Sequence, residues 1–435
     1  METQMTALNV QLLMTGNEVM AGDTIDSNSA HIARELAAMG IKVSRRVTVN
    51  DDLEQLLIEL NSMSASADIV IMNGGLGPTV DDLTSEALAA FSDSTLQIHP
   101  HAKAQLEAWC DRRGQALNDA NKKQMLIPSG ADIIPNATGS APGIDLQHNG
   151  TRVFATPGVP SEMRQMLPII MDRISARFDL THRTIVRRLQ TFGLGESNAQ
   201  QLINNSTFDW PATVELGFRA SAPQMEVKLT IHDDSHREDQ ERCIQHIHTL
   251  FGDHIVGEGD TTLAEAVLTL LRERQQTITT AESCTGGLIA SALTQIPGAS
   301  AAFHAGFVTY DNAIKASVLG VSDSHLNNCG AVSESVVRQM AEGALARASA
   351  DYVIAVSGVA GPDGGSDEKP VGTVWVAYGS REELNTLRLL WPLPRQLFQT
   401  MVTACTLDLI RRQLLGLPKY CRYVDQRQVV PTDQE

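Results

Sequence analysis

The feature that most constrains the fold is a short apolar strand that leads directly into a glycine-rich turn and then into a helix. Asp68–Met72 (DIVIM) is the apolar run, NGGLGPTVDD is the turn, and Leu83–Phe91 has helical spacing. A strand that is apolar at nearly every position is typical of a parallel sheet covered by helices on both faces. The same alternation over the first third of the chain predicts an α/β domain.

The 435 residues are long enough for two to four domains, and the pattern divides them into four segments. Residues 1–178 form the first α/β domain. Residues 179–256 contain two strands and two helical stretches, which predicts a small α+β domain. Residues 257–420 return to strand–helix alternation, with Gly257–Thr262 as a linker and Gln399–Leu415 as the last helix, and residues 421–435 are a tail. We therefore predict two three-layer α/β domains with mainly parallel sheets, joined by a small α+β domain.

The first glycine-rich turn has the composition of a phosphate site. Gly74, Gly75 and Gly77 permit close backbone approach, and the following helix offers free N–H groups to an anion. Asp81 and Asp82 are a carboxylate pair that could bind a divalent cation bridging to a phosphate. The structural alternative is a glycine-rich turn followed by acidic capping residues.

A second strand–turn–helix unit, TTAESCTGGLIAS, lies at Thr279–Ser291. Ser283 or Cys284 would stand beside the N–H groups of Thr285, Gly286 and Gly287, which predicts an oxyanion hole or phosphate cradle. The alternatives are that Ser283 caps the helix and that Cys284 is a small buried residue.

Two further loops are expected at the same sheet edge. Tyr310 and Lys315 follow the next strand, and a buried lysine or tyrosine of lowered pKa can activate a serine. A lysine at that position could also be an ordinary solvated helix residue. The glycine-rich loop that contains Gly361, Asp363 and Gly364 leaves a third strand end, so two nucleotide-sized loops face one edge.

Charge and composition exclude several classes of protein. The 34 basic and 51 acidic residues give 34 − 51 = −17, and no basic stretch interleaved with aromatic residues occurs, so direct nucleic-acid contact is not expected. A small nucleotide in a shielded pocket remains compatible with this charge. The start of the chain has no signal-peptide pattern, no apolar run approaches a membrane span, and six scattered cysteines show no zinc spacing. We therefore expect a cytoplasmic protein with reduced thiols.

The motifs together resemble the CinA family. In the first domain the resemblance lies in the segments GNEVMAGDTIDSNS, GGLGPTVDDLT, NDANKKQMLIPSGADIIPNATGSAPG and ATPGVPSEM. In the third domain it lies in the segments AESCTGG, IPGAS, GFVTYDNAIK, LGV, GAVSESVV, MAEGAL, VSGVAGPDGG and KPVGTVW. The resemblance implies a MoaB/MogA-like amino-terminal domain that hydrolyses ADP-ribose with a divalent metal. It implies a carboxy-terminal nicotinamide mononucleotide deamidase without a cofactor, a KH-like middle domain and a homodimer.

The resemblance also implies roles for individual residues. Ser283, Tyr310 and Lys315 would be catalytic. The substrate site of the third domain would comprise Cys284, Thr285, Gly286, Gly287, Asn312, Gly361, Asp363, Gly364 and Arg395. The nucleotide site of the first domain would comprise Asn28, Gly74, Gly75, Gly77 and Thr79, with a metal at Asp81 and Asp82.

The chain departs from the family pattern at two places. Asn17 stands where the family often has an aspartate, and Leu393-Pro394-Arg395 with Gln399 replaces a Gly-Asp-Arg triplet followed by a second arginine. Two other functions stay open at this point. The first domain could bind a nucleotide or molybdopterin without hydrolysing it, or the protein could be a non-catalytic partner in competence or recombination.

Overall fold

A computed structural model describes residues 8–177 and 184–429, which form two compact units. The first unit contains the chain up to Ile185 together with 232–235, and the second contains 186–231 and 236 onward. The predicted boundary between 178 and 179, residues 1–7 and the end of the predicted tail, 430–435, lie outside the described residues.

The first unit is built on a six-stranded sheet of order β2-β1-β3-β8-β7-β6. The strands β2, β1, β3 and β8 are parallel, β7 is antiparallel to β8, and β6 is antiparallel to β7 and so runs in the direction of the parallel strands. The strands of this unit are β1 Val10–Thr15, β2 Val43–Val49, β3 Ile69–Asn73, β4 Leu96–Ile98, β5 Leu126–Pro128, β6 Asp132–Ile134, β7 Gly143–His148 and β8 Thr151–Thr156. β4 and β5 form a separate antiparallel pair.

Helices cover both faces of this sheet, as the apolar strands predict. One core lies under α3 and α4, and the other lies under α2 and α7. The helices are α1 Asn17–Met20, α2 Asn28–Ala38, α3 Leu53–Ser64, α4 Thr84–Phe91, α5 Pro100–Arg113, α6 Asp119–Lys122 and α7 Pro160–Arg177.

The middle segment has a four-stranded sheet of order β10-β11-β9-β12. Its elements are β9 Ile185–Thr191, α8 Glu196–Asn204, β10 Glu215–Ser221, β11 Gln224–Ile231, α9 Arg237–Phe251 and β12 Ile255–Glu258. Two of these strands, β10 and β12, were not predicted. Gly257 and Glu258, which the sequence analysis placed in a linker, belong to β12 because they pair with Gln190 and Leu189.

The third segment has a five-stranded sheet of order β14-β13-β15-β16-β17 between two helical layers. β13, β14 and β15 are parallel, β16 is antiparallel to β15, and β17 is antiparallel to β16. The elements are α10 Leu263–Glu273, β13 Ile278–Glu282, α11 Leu288–Thr294, β14 Phe303–Val308, α12 Asn312–Leu319, α13 Asp323–Cys329, α14 Glu334–Ala348, β15 Tyr352–Gly358, β16 Thr373–Ser380, β17 Leu384–Leu390, α15 Arg395–Leu415 and α16 Arg422–Asp425.

A buried ion cluster joins the middle segment to α15 within the second unit. The Asp408 carboxylate accepts hydrogen bonds from the guanidinium groups of Arg411 and Arg412, and all three side chains are at most 3% exposed. Arg411 donates to the backbone carbonyls of Asp253 and Ile255, and Arg412 pairs with the Asp253 carboxylate at 2.6 Å. Because buried charges cost free energy unless they are paired, this cluster fixes one arrangement of the two segments.

Residues 421–429, which the sequence analysis leaves in the tail, pack on the third segment. Cys421 and Val424 are buried in the core under α15, and Gln428 forms a β-bridge with Leu389. None of the helices among the described residues is long and apolar enough to cross a membrane.

Candidate functional site

Three loops meet at the carboxyl edge of the third sheet. Glu282, the last residue of β13, lies opposite Val308 of β14 and Val356 of β15. Ser283 follows β13 directly, and the loops of Tyr310 and Gly361 follow β14 and β15. Because parallel strands end at one edge, the loops predicted to form one site share that edge.

Ser283 is fixed by backbone hydrogen bonds. Its N–H donates to the Val356 carbonyl and its carbonyl accepts from the Gly286 N–H, both at 3.1 Å. The N-cap of α11 is Gly287, so Ser283 is not the helix cap of the structural alternative. The residue is 8% exposed, which leaves it buried but still in contact with solvent.

The buried carboxylate of Glu282, which the sequence analysis did not single out, occupies the amino end of α11. It accepts from the Thr285 hydroxyl at 2.7 Å and from the N–H groups of Gly287, Ile289 and Ala290 at 2.8–3.1 Å. The first amides of a helix lack intrahelical partners, and the helix dipole favours a negative charge there. The sequence contains one signal for this role. The strand ITTAE ends in an acidic residue, whereas its other residues are apolar or threonine.

These bonds correct the predicted oxyanion hole. The Gly286 N–H donates to the Ser283 carbonyl, and the Gly287 N–H donates to Glu282. Two of the three amides predicted to point outward are therefore used inside the protein. The amide of Thr285 is the remaining one of the three.

We expect Glu282→Ala to lower the free energy of unfolding by about 3 kcal/mol or more, because it leaves buried amides without an acceptor, at about 1–3 kcal/mol each. Urea denaturation of the full chain measures this difference. Glu265→Ala is the matched control, since Glu265 is an exposed glutamate in the first turn of α10. Equal effects of the two substitutions would contradict the capping role of Glu282.

Lys315 lies on α12 and is 1% exposed, so it is not the solvated helix residue of the alternative interpretation. Its ammonium nitrogen donates to the Tyr310 carbonyl at 2.9 Å. Burial lowers the pKa of Lys315, and the charges of Asp311 and Cys284 oppose this shift. A buried amine of lowered pKa can lose its proton nearer to neutral pH and serve as a base.

Cys284 is buried beside the same lysine. Burial raises the pKa of its thiol to about 12, although the nearby positive charges of Lys315 and Arg395 lower it. The thiolate is the nucleophilic form of cysteine, so a thiol that stays protonated at neutral pH favours the structural interpretation of Cys284. Its carbonyl accepts from the Gln399 side chain at 2.8 Å.

Arg395 connects two of the loops. Its guanidinium donates to the Gly361 carbonyl at 2.9 Å and to the Tyr310 hydroxyl at 3.2 Å. α15 begins at Arg395, four residues before the predicted Gln399, which brings Arg395 into the site. Tyr310 is 62% exposed and contacts Lys315 through its carbonyl, so its phenol lacks the burial predicted for a base.

The other predicted residues of this site differ in exposure. Thr285 is buried and its hydroxyl is bonded to Glu282. Asn312, Asp363 and Gly364 are exposed on the loops at the sheet edge.

The first unit has a separate cavity of about 500 Å³ at the carboxyl ends of β1 and β3. Gly74, Gly75 and Gly77 line it, as predicted, with Thr79, Asp81 and Asp82. A side chain on Gly74 would meet the Thr15 carbonyl, and one on Gly75 would meet the Thr84 hydroxyl, and both glycines have positive φ. Only glycine therefore fits at these two positions.

The predicted metal pair is partly engaged within its own loop. Asp82 accepts from the backbone N–H of Thr79 at 2.8 Å and from its hydroxyl. A hydrogen bond from Thr79 lowers the pKa of exposed Asp81, which keeps that carboxylate ionised. Among residues 8–177 and 184–429, no group of three or more histidine, cysteine or acidic side chains is placed to hold a metal ion.

The sequence analysis missed several residues around this cavity. Lys123 donates to the carbonyls of Thr79 and Asp82 and thereby fixes the loop. Glu18, Asp51 and Glu162 add negative charge to the wall. The carboxamide of Asn17 accepts from the Asp51 N–H, so the departure from the family aspartate removes a charge beside Asp51.

Asn28 was predicted to bind the nucleotide, but it is buried outside the residues that line the cavity. Its amide donates to Asn73 at 2.9 Å and to the Gly158 carbonyl at 2.7 Å. Asn73 in turn donates to the Pro157 carbonyl. In this structure Asn28 therefore fixes the loops after β3 and β8, and its direct contact with a nucleotide stays a prediction.

Comparison with known proteins matches both outer domains. The family model described as CinA C-terminal domain matches residues 260–414, and the one described as Probable molybdopterin binding domain matches 11–176. A CinA-like protein of Colwellia psychrerythraea is 47% identical over 427 residues, covering 97% of this chain and 99% of the relative. A CinA-like protein of Shewanella halifaxensis is 38% identical over 94% of this chain and 96% of its own length.

Solved structures match parts of the chain. Competence/damage inducible protein CihA from Agrobacterium tumefaciens is 41% identical, covers 35% of this chain and 93% of its own, and has a TM-score of 0.34. The molybdopterin biosynthesis enzyme MoaB from Thermus thermophilus is 19% identical, covers 39% of this chain and 95% of its own, and has a TM-score of 0.27.

Proposed function

Because this chain belongs to the CinA family, we propose that its carboxy-terminal domain hydrolyses the carboxamide of nicotinamide mononucleotide to nicotinate mononucleotide and ammonia. The observation that carries this proposal is the burial of Lys315, whose pKa is lowered and whose amine contacts the Tyr310 carbonyl on a loop at the same sheet edge as Ser283. A neutral amine near a serine is a known arrangement for nucleophilic catalysis.

In the proposed reaction the Ser283 oxygen attacks the carboxamide carbon, and the neutral Lys315 amine takes the hydroxyl proton. Lys315 then gives this proton to the departing nitrogen, the C–N bond breaks, and ammonia leaves an ester on Ser283. A water molecule attacks the ester carbon while Lys315 takes a proton from it. The C–O bond to Ser283 breaks, the serine oxygen regains the proton, and the carboxylic acid is released.

The surrounding groups have supporting roles in this proposal. The Thr285 amide is available to the negative oxygen of the tetrahedral intermediate. Arg395 provides positive charge at the mouth of the site for the substrate phosphate, and the amino end of α15 adds to it. Gln399 binds the Cys284 carbonyl and so stabilises the turn that carries the nucleophile.

The proposal is tested by incubating the purified full chain with nicotinamide mononucleotide and measuring ammonia and nicotinate mononucleotide. We expect the two products in equal amounts, without added metal. Nicotinate mononucleotide, which has no amide, is the control substrate and should release no ammonia. Ammonia at the level of the protein-free blank would overturn the proposed function.

The acidic cavity of the first unit favours a second activity, metal-dependent hydrolysis of ADP-ribose to AMP and ribose 5-phosphate. Mg²⁺ is commonly held by one or two carboxylates together with substrate phosphates, and ionised Asp81 with Asp82 provides such a pair. The metal would neutralise the pyrophosphate and activate water. The glycine loop allows the pyrophosphate to approach the backbone, and Lys123 holds that loop in place.

We expect Mg²⁺ to bind the full chain detectably only when ADP-ribose is present, because the protein alone provides too few ligands. Calorimetric titration of Mg²⁺ with and without the nucleotide measures this dependence.

Asp81→Asn should reduce the rate of AMP release from ADP-ribose at least tenfold, since it removes a charged metal ligand. Asp119→Asn, at an exposed aspartate on α6, is the control, and an equal loss in both variants would contradict the proposed metal pair.

A further inference from the structure

We propose that a recess between α10, α11 and α15 binds a compact neutral molecule that combines an apolar ring with one hydrogen-bonding group. The recess has a volume of about 300 Å³ and lies wholly within the second unit. Pro223, in the turn between β10 and β11, and Gln224, the first residue of β11, close one side. Its lining residues are distinct from those assigned to the Ser283 site.

The walls of the recess combine apolar side chains, which recur at helical spacing, with uncharged polar ones. Leu288 and Ala292 come from one face of α11, Ala404 and Leu407 from one face of α15, and Leu263 from the start of α10. Residues three or four apart lie on the same side of a helix, so α11 and α15 each present a continuous surface. Leu288 is 40% exposed, whereas Leu263, Ala404 and Leu407 are buried, so the recess has an open rim and an apolar floor.

One polar group in the recess has no partner. Thr403 is 9% exposed, and its hydroxyl oxygen is buried without a hydrogen bond to any described residue. A buried hydroxyl without a partner costs free energy, so a ligand that supplies a donor or acceptor gains that interaction. Thr403 lines the recess, so we infer that the polar group of the ligand lies against this side chain.

The recess contains no charged side chain among its described lining residues, although the chain carries 85 charged residues, 34 basic and 51 acidic. A phosphate, carboxylate or ammonium group would lose its hydration there without gaining an ion pair. The Gln224 amide is already bonded to the Thr261 carbonyl and the Leu263 N–H. These features select a neutral ligand.

The size of the recess favours a small molecule over a protein. Pockets of about 300–1,000 Å³ with apolar walls and a few polar groups are typical of small-molecule sites. A stable protein interface buries about 800 Å² on each partner, which is far more surface than this recess presents. A single substituted ring is the class of ligand that fits.

4-Fluorobenzyl alcohol is a suitable probe, and ligand-observed fluorine NMR of the full chain measures its dissociation constant. Thr403→Val removes the hydroxyl at nearly constant volume and should weaken binding about tenfold. Ala292→Phe fills the recess from a half-buried wall position and should abolish binding. Thr294→Val, the same substitution at an exposed threonine of α11 outside the recess, should leave the dissociation constant unchanged.

Ser283→Ala separates this site from the catalytic one, and it should bind the probe as the unsubstituted chain does. Absence of saturable binding would overturn the inference. Unchanged binding of the probe to the Ala292→Phe or Thr403→Val variant would also overturn it. Loss of binding in the Ser283→Ala variant would overturn it as well. The inference does not depend on the amidase, because a chain that releases no ammonia can still bind the probe.

Discussion

Ser283→Ala is expected to lower the rate of ammonia release from nicotinamide mononucleotide by about 10³-fold or more, the scale seen when a catalytic nucleophile is removed. The hydroxyl is the only atom group lost, and the turn around it is held by backbone bonds to Val356 and Gly286 that alanine retains. The measurement is the initial rate at saturating substrate, with the unfolding midpoint recorded for both proteins.

Cys284→Ala is the matched comparison on the neighbouring residue. The raised pKa of the Cys284 thiol keeps it protonated at neutral pH, so its removal should leave the rate near that of the unsubstituted chain. The Cys284 carbonyl, which Gln399 binds, is unaffected by this substitution. Retained activity in Ser283→Ala, together with lost activity in Cys284→Ala, would assign the nucleophile to the thiol instead.

The sequence predicted the loops of the third segment well because their position depends on local pattern. A strand that ends in a glycine-rich turn before a helix can be located without knowing its neighbours, and parallel strands bring such turns to one edge. TITTA before ESCTGG meets this condition, and the strand before the Gly361 loop also ends in a glycine-rich turn, although β16 and not a helix follows it. The predicted edge is therefore confirmed by the register of β13, β14 and β15.

The residues that the sequence did not reveal depend on tertiary contacts. Glu282 looks like a solvent-facing residue at a strand end, and only the return of α11 over it makes it a buried cap. β10 has apolar residues at alternate positions, Leu216, Phe218 and Ala220, but none of its residues is buried, and its pairing with β11 decides its conformation. The start of α15 at Arg395 could have been predicted from the sequence, because proline is common at the start of a helix and Pro394 directly precedes Arg395.

Lys315→Met is expected to reduce ammonia release by about 10²–10⁴-fold, the range for a general base. Methionine fills the same buried space without a titratable group, so the effect should appear in kcat with little loss of stability. Lys315→Arg should be equally inactive, because a guanidinium does not lose its proton in proteins. The burial of Lys315 makes methionine the less disruptive of the two, and urea denaturation checks that both variants fold.

The pH dependence of kcat/KM distinguishes a proton-transfer role of Lys315 from a purely structural role. The active form is the neutral amine, whose fraction rises with pH, and burial lowers the pKa of Lys315 from its ordinary value of 10.5. Log(kcat/KM) should therefore rise with unit slope and level off at a pH below 10.5. A profile that is flat between pH 6 and 10, or a Lys315→Met variant that keeps the same rising limb, would assign the proton transfer to another group.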